Sequence, residues 1–316
     1  MLKSETIKRK NAYKISNGIK AAVKKDFLLY MMLILPVVYF IVFKYIPMAG
    51  VAVAFRKYQA GKSIFGTEWV GLRYIGMFIH DGNFWNVFRN TVLLSIYNLI
   101  FGFPIPIIFA LLLNEIKSKY TKKFVQTVSY LPKFFSTVVV VGMINNLLSP
   151  STGVVNKVLE IFGYQSIYFI NQSSWFRTIY VTSEIWQFMG WNAILYIATL
   201  SNVDTQLYEA AEIDGANRWK QTWHVTIPGI MPTIIITFIL SVGYMLQVGF
   251  EKVLLLYTPS IYDTADVLQT YVYRIGLVAN NYSYSTAIGL FQSIISLVLI
   301  WMVNQFAKKF SESSLW

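Results

Sequence analysis

Residues 207–232 read LYEAAEIDGANRWKQTWHVTIPGIMP. Their order of small, polar and helix-breaking residues predicts two short helices joined by a tight bend. Asp204 or Thr205 is placed to cap the first helix, because a short oxygen-bearing side chain accepts from the free N–H groups of a first turn. Gly215 suits the left-handed residue that closes it. Asn217 is placed to cap a second helix, and Pro228, which has no N–H, is expected to stop it. Pro232 then fits the first turn of the next helix. Within the first helix Leu207, Ala210, Ala211 and Asp214 share a face, and the alanines let another surface approach closely. Glu209 is placed to pair with Arg218 or Lys220 across the bend, a contact that at a surface sets geometry more than stability. The stretch predicts a rigid knob, not a slack connector.

The sequence on either side of the knob is apolar in long blocks. The chain is 55% hydrophobic and only 13% charged, about half the charge of an ordinary soluble domain. Blocks near 20 residues are spanning length. Six candidates stand out: Phe27–Pro47, Asn86–Leu113, Phe124–Leu148, Arg177–Leu200, Thr233–Leu256 and Tyr284–Ala307. The expected fold is all-α: a polytopic membrane bundle of six transmembrane helices with a cytoplasmic two-helix loop. With the N-terminus inside, the inner segments hold 16 Lys and Arg against 6 outside, as the positive-inside rule asks. The cluster Lys117, Lys119, Lys122, Lys123 is the sharpest marker. Both termini are expected in the cytoplasm.

Residues 1–26 form a basic leader with eight Lys and Arg, and 27–316 form one membrane domain. The leader is too charged, and the apolar run after it too long, for a cleaved signal peptide. It fits a short amphipathic helix on the inner surface and equally a solvated tail. The net charge of +12 is that of basic inner loops, so nucleic acid is not an expected partner.

Glu209, Ala210, Ala211, Gly215 and the run from Val225 to Pro228 resemble the EAA loop of importer permeases in the ATP-binding-cassette superfamily. That pattern is Glu-Ala-Ala, three residues, Gly, nine residues, then Ile-x-Leu-Pro; here Val225 and Ile227 replace its Ile and Leu. The resemblance implies that Glu209, Ala210, Ala211, Asp214, Gly215 and Pro228 couple the spans to an ATPase. It implies a bacterial cell-membrane location, a second permease subunit (usually a different chain in this group), two copies of a cytoplasmic ATPase and an extracellular substrate-binding lipoprotein. No cofactor is expected on this chain, since ATP and magnesium would sit on the ATPase. Softer likenesses at Tyr130–Pro132, Trp186–Asn192, Val267–Arg274 and Thr286–Gly289 point to carbohydrate importers, nearest the lipoprotein or polysaccharide permeases of Gram-positive bacteria.

Polar side chains inside a membrane face a cavity or one another. Glu184, Gln187 and Trp191 share one helical face, and Ser241, Tyr244, Val248 and Glu251 share another. Together they offer the hydrogen-bonding groups and aromatic faces that a sugar path needs. The same stripes also fit interhelical bonding and packing, as do Asn90, Asn98, Asn145, Asn146 and Gln292. Lys252 could pair with Glu251 or extend to the outer interface. The polar loop 257–283, with Asp263, Asp266 and Tyr282, fits a contact with a binding protein or a plain solvated loop.

No catalytic set emerges. Ala60 to Ser63 copies the end of a phosphate loop, but Arg56 stands where its first glycine is required. His80 and His224 fall on opposite sides of the membrane, no cysteine is present, and no metal site is expected. A non-enzymatic permease is the expectation. The alternative, a transporter driven by an ion gradient, would favour paired inverted repeats, which the sequence lacks.

Overall fold

The computed structural model describes residues 25–64 and 67–310. The basic leader, apart from Lys25 and Asp26, lies outside the described residues. These are nearly all helical, with a single isolated bridge between Arg56 and Trp69. The chain divides into two compact units, residues 1–70 and 71–316.

The first unit is dominated by α1, Phe27–Phe55, whose most apolar stretch buries nothing within the chain. It passes through a π turn at Ile41–Tyr45 and ends in a 3₁₀ turn, Ala49–Phe55. Beyond it, Phe55 stacks on Trp69 at 5.6 Å.

The second unit holds the bundle. Its elements are α2 (Arg73–Ile79), α3 (Phe84–Glu115), α4 (Lys119–Phe134), α5 (Thr137–Leu147), α6 (Val154–Ile161) and α7 (Ser173–Leu200). After these come α8 (Thr205–Ile213), α9 (Arg218–Tyr244), α10 (Phe250–Leu256), α11 (Leu268–Tyr273) and α12 (Tyr282–Phe310). α7 is the central post: it packs along α3 and also meets α4 and α9, while α9 packs along α12. Lipid tails are as apolar as leucine, so burial gains little between such helices, and close approach at small residues counts for more. A Cβ on Gly190 would lie 2.2 Å from the Ser129 carbonyl oxygen, so this glycine sets how closely α7 crosses α4. Gly243 plays the same part against Ile300 of α12.

Three apolar clusters lock the bundle. Leu94, Val141, Tyr180, Val253 and Ile261 form one; Phe78, Val87, Leu268, Tyr284 and Ile288 a second; Ala110, Ala193, Tyr196 and Ile230 a third. Polar ties supplement them. Asn90 donates to the Asp263 and Asp266 carbonyls at 2.9 and 3.2 Å and accepts from Arg177 at 3.1 Å, which assigns it to packing.

Two sequence expectations need correcting. The proposed span Phe124–Leu148 is two helices, α4 and α5, bent by 101°. Pro132 tightens the end of α4 into a 3₁₀ turn, and Ser136 starts afresh by capping α5. The proposed span Thr233–Leu256 begins fifteen residues early, at Arg218, and ends at Tyr244; residues 245–249 are unwound before α10. The count of six is not reproduced by length and apolarity. α1, α3, α9 and α12 qualify, and the bent pair makes a fifth if taken as one span. α7 has the length, 28 residues, but carries Arg177, Glu184 and Gln187.

Candidate functional site

The knob is built from local signals. The Asp204 carboxylate accepts from the Gln206 amide at 2.9 Å and starts α8. Gly215 ends the turn at φ +74°, a conformation that costs a residue with a Cβ and costs glycine nothing. Asn217 accepts from the Lys220 amide at 2.9 Å and starts α9. Pro228 does not stop that helix. A π turn at Thr222–Thr226 precedes it, and α9 runs on through Pro228 and Pro232. The wider turn shifts the bonding pattern, so proline's missing N–H no longer breaks the helix.

Glu209 does not brace the bend. Arg218 instead reaches Glu115 at the end of α3, at 3.3 Å. The brace comes from Tyr208, whose hydroxyl donates to Thr226 at 3.0 Å, and from Gln221, which donates to the Ala216 carbonyl at 3.1 Å. Leu207, Glu209, Ala210, Asp214 and Gly215 are exposed and Ala211 is half-buried, so α8 and its bend present an open face.

Deeper in the bundle a cavity of about 690 Å³ lies among α3, α7, α9 and the unwound residues 245–249. Both outer walls are broken where they face it. α3 takes a π turn at Asn98–Gly102, and α9 stops at Tyr244. Irregular backbone at membrane depth survives only where it is buried in protein or lines a cavity, and here three of the freed groups are tied to neighbouring helices. The Gly249 amide donates to the Tyr180 hydroxyl oxygen at 2.9 Å, Gln292 donates to the Leu246 carbonyl at 2.6 Å, and the Ser95 hydroxyl reaches the Met245 carbonyl. Asn98, Asn192, Thr237 and Gln247 give polar wall; Phe103, Phe188 and Tyr196 give aromatic wall.

Of the residues expected along a path, Glu184, Trp191, Ser241 and Tyr244 line this cavity. Gln187 lies outside it: buried, it donates to the Phe135 carbonyl at 3.2 Å and so satisfies a group freed by the bend between α4 and α5. Glu251 is also outside the lining and accepts from Thr137 at 2.9 Å. Lys252 neither pairs with Glu251 nor extends outward. It is 3% exposed and ion-paired to Glu184, so the one charged side chain on the cavity wall, among the described residues, is matched from behind. The pairing was missed because it joins residues 68 positions apart; a lone lysine in an apolar run was the signal that an acid must stand opposite.

The connections on either side of α11 form a network of their own. Asp266 is buried and ion-paired with Arg274, whose guanidinium lies 4.8 Å over Tyr262. Asp81 accepts from the Tyr271 and Tyr284 hydroxyls at 2.5 and 2.9 Å. Burial by itself would raise the Asp81 carboxyl. The bonds from Tyr271, the Asn83 amide and Tyr284 outweigh it and hold the carboxyl below its ordinary value.

Comparison with known proteins gives this geometry a context. Residues 74–312 match the family described as binding-protein-dependent transport system inner membrane component. The polygalacturonan/rhamnogalacturonan transport system permease protein YteP of Bacillus subtilis (strain 168) is 42% identical over 91% of this chain and 90% of its own length. Protein LplB of the same organism is also 42% identical, over 93% of each. A solved chain from a bacterial alginate transporter, in complex with an alginate pentasaccharide-bound periplasmic protein, superposes with a TM-score of 0.86. It is 40% identical and covers 93% of this chain and 98% of that one. An exposed capped knob, a cavity between broken helices and a family match across three quarters of the sequence agree: the chain belongs to the family of binding-protein-dependent transport system inner membrane components.

Proposed function

We propose that this chain is one permease subunit of an ATP-driven importer that passes a sugar or oligosaccharide through the cavity between α3, α7 and α9. The observation that carries the substrate class is the wall itself. It combines hydroxyls, amides and aromatic faces with a single charge that Lys252 neutralises. Hydroxyl-rich rings are matched by hydrogen-bonding groups and aromatic surface, and a charge-balanced wall leaves them free to move on. The relatives named for polygalacturonan, rhamnogalacturonan and alginate support the same class.

In this reading α7 crosses the membrane too and the bent α4–α5 pair counts as one span, giving six, with both termini and the knob in the cytoplasm. Glu209, Ala210, Ala211, Asp214 and Gly215 dock on an ATPase, which carries ATP and magnesium. Pro228 acts nearly three turns into α9, where the knob becomes the helix that walls the cavity. A rigid knob continuous with α9 can transmit ATPase movement only through contacts that differ between states. A second, homologous permease chain, two ATPase copies and an extracellular binding lipoprotein complete the assembly.

Affinity purification from native membranes tests this. Copurifying ATPase and a second permease chain are expected. A chain recovered without ATPase, together with uptake that an uncoupler abolishes at clamped ATP, would defeat it. Orientation is tested by Asn217→Cys, which an impermeant thiol reagent outside intact cells should leave unlabelled.

A further inference from the structure

A cationic, aromatic patch lies where α3 turns into α4. Lys117, Lys119, Lys122 and Lys123 fall within seven residues, and none makes an ion pair among the described residues. The adjacent acid, Glu115, is taken by Arg218. That ion pair brings the start of α9 alongside and adds Arg218, Lys220 and two exposed indoles, Trp219 and Trp223, whose rings are 5.9 Å apart. From the lysines an exposed stripe runs along α4 through Tyr120, Phe124, Val128 and Leu131; Tyr120 is 90% exposed. A helix facing only water would not leave this stripe bare, and one facing only hydrocarbon would not carry free lysines. The combination fits the boundary between headgroups and acyl chains. Charge is also segregated within the knob: Asp204, Glu209, Glu212 and Asp214 cluster on and around α8, while Arg218 and Lys220 stand on α9.

We propose that this patch docks anionic phospholipid of the cytoplasmic leaflet. Lys117, Lys119 and Lys123 hold the headgroup phosphates, while Trp219 and Trp223 sit at headgroup level. The proposal rests on the orientation given above. It makes the knob a two-sided element, with α8 offered to a protein and the start of α9 to lipid. Each lysine beside an anionic surface is worth on the order of fivefold in lipid affinity, the equivalent of about 1 kcal/mol.

The test uses the assembled importer with its ATPase, placed in nanodiscs of phosphatidylcholine containing some phosphatidylglycerol. Lipid retained on re-extraction is read by native mass spectrometry. The wild type should enrich phosphatidylglycerol, less so as salt rises. Lys117→Gln/Lys119→Gln/Lys123→Gln should abolish that enrichment, since three such lysines together are worth on the order of a hundredfold in affinity, with the ATPase still attached. Unchanged enrichment in the triple variant overturns the proposal, as does loss of the ATPase with lipid retention intact, which would mark the patch as a protein contact. If the triple variant does not fold, the wild-type salt series decides, since salt-insensitive retention is equally fatal. Outside labelling of Asn217→Cys with enrichment intact would fault the orientation, and with it the leaflet, but not the lysines.

Discussion

The two ends of α9 are held by different physics. At Arg218 everything needed lies within a few residues: a side-chain cap from Asn217, a left-handed glycine at 215, and a π turn that carries the chain through Pro228. At Tyr244 the local contribution is a bare turn, in which the Gln247 amide donates to the Tyr244 carbonyl at 2.8 Å. The five residues that follow are held open by Ser95, Tyr180 and Gln292, which are 150, 69 and 46 positions from their partners. One end is a self-contained piece that can be carried as a unit. The other exists only because three other helices hold it.

The contrast can be attacked where it should be strongest. Gly215→Pro removes a φ that proline cannot adopt. Uptake should fall to background while the protein stays in the membrane and the ATPase subunits retain hydrolysis; wild-type uptake would show that the bend is dispensable. At the other end, Glu184→Gln leaves the buried Lys252 unmatched and should cost about 3–5 kcal/mol in thermal unfolding, whereas Lys252→Met strands Glu184 on the cavity wall and should cost less. The double change Glu184→Leu/Lys252→Met should recover most of it, because an apolar pair of similar volume has no desolvation cost. Equal loss in single and double variants would mean that shape, not charge, is what the pair supplies.

A matched comparison of the two ends follows. Tyr180→Phe strands the Gly249 amide and should cost about 1–3 kcal/mol, with faster amide exchange at residues 245–249. Asn217→Ala should cost about 1 kcal/mol, with faster exchange confined to residues 218–221. Spread of either effect to the opposite end would dissolve the distinction. The smallest expected effect lies outside both ends. The bonds that Asp81 accepts stabilise its ionised form, so their contribution is complete above the ordinary carboxylate value of 3.8 and is lost as pH falls through the lowered one. Asp81→Asn should therefore lower the melting temperature modestly at neutral pH, where the wild type has the full contribution, and flatten the acid limb below about pH 4, so that the two curves converge in acid.

The same division explains what could be read from the sequence. Asp204, Gly215 and Asn217 act on neighbours, and their residue types state their roles. The helical, membrane-embedded character follows from apolar length alone. The breaks at 135–136 and 245–249 were hidden because apolar runs continue across them, and the groups that stabilise them, Gln187 and Tyr180, belong to another helix. Pro228 misled for a related reason: proline's effect depends on the register it meets, and the π turn had already shifted it. Four of the expected path residues line the cavity, whereas Gln187 and Glu251 face neighbours instead. Helical periodicity fixes a shared stripe but not what stands in front of it.

The strip 245–249 has a further consequence. Its ties run separately to α3, α7 and α12, so sliding any one of those helices against the rest must break or rebuild a contact at this spot. The strip is a strain gauge for the bundle, reading three displacements within five residues. A spectroscopic label at Gln247 would report displacement of any of these three helices.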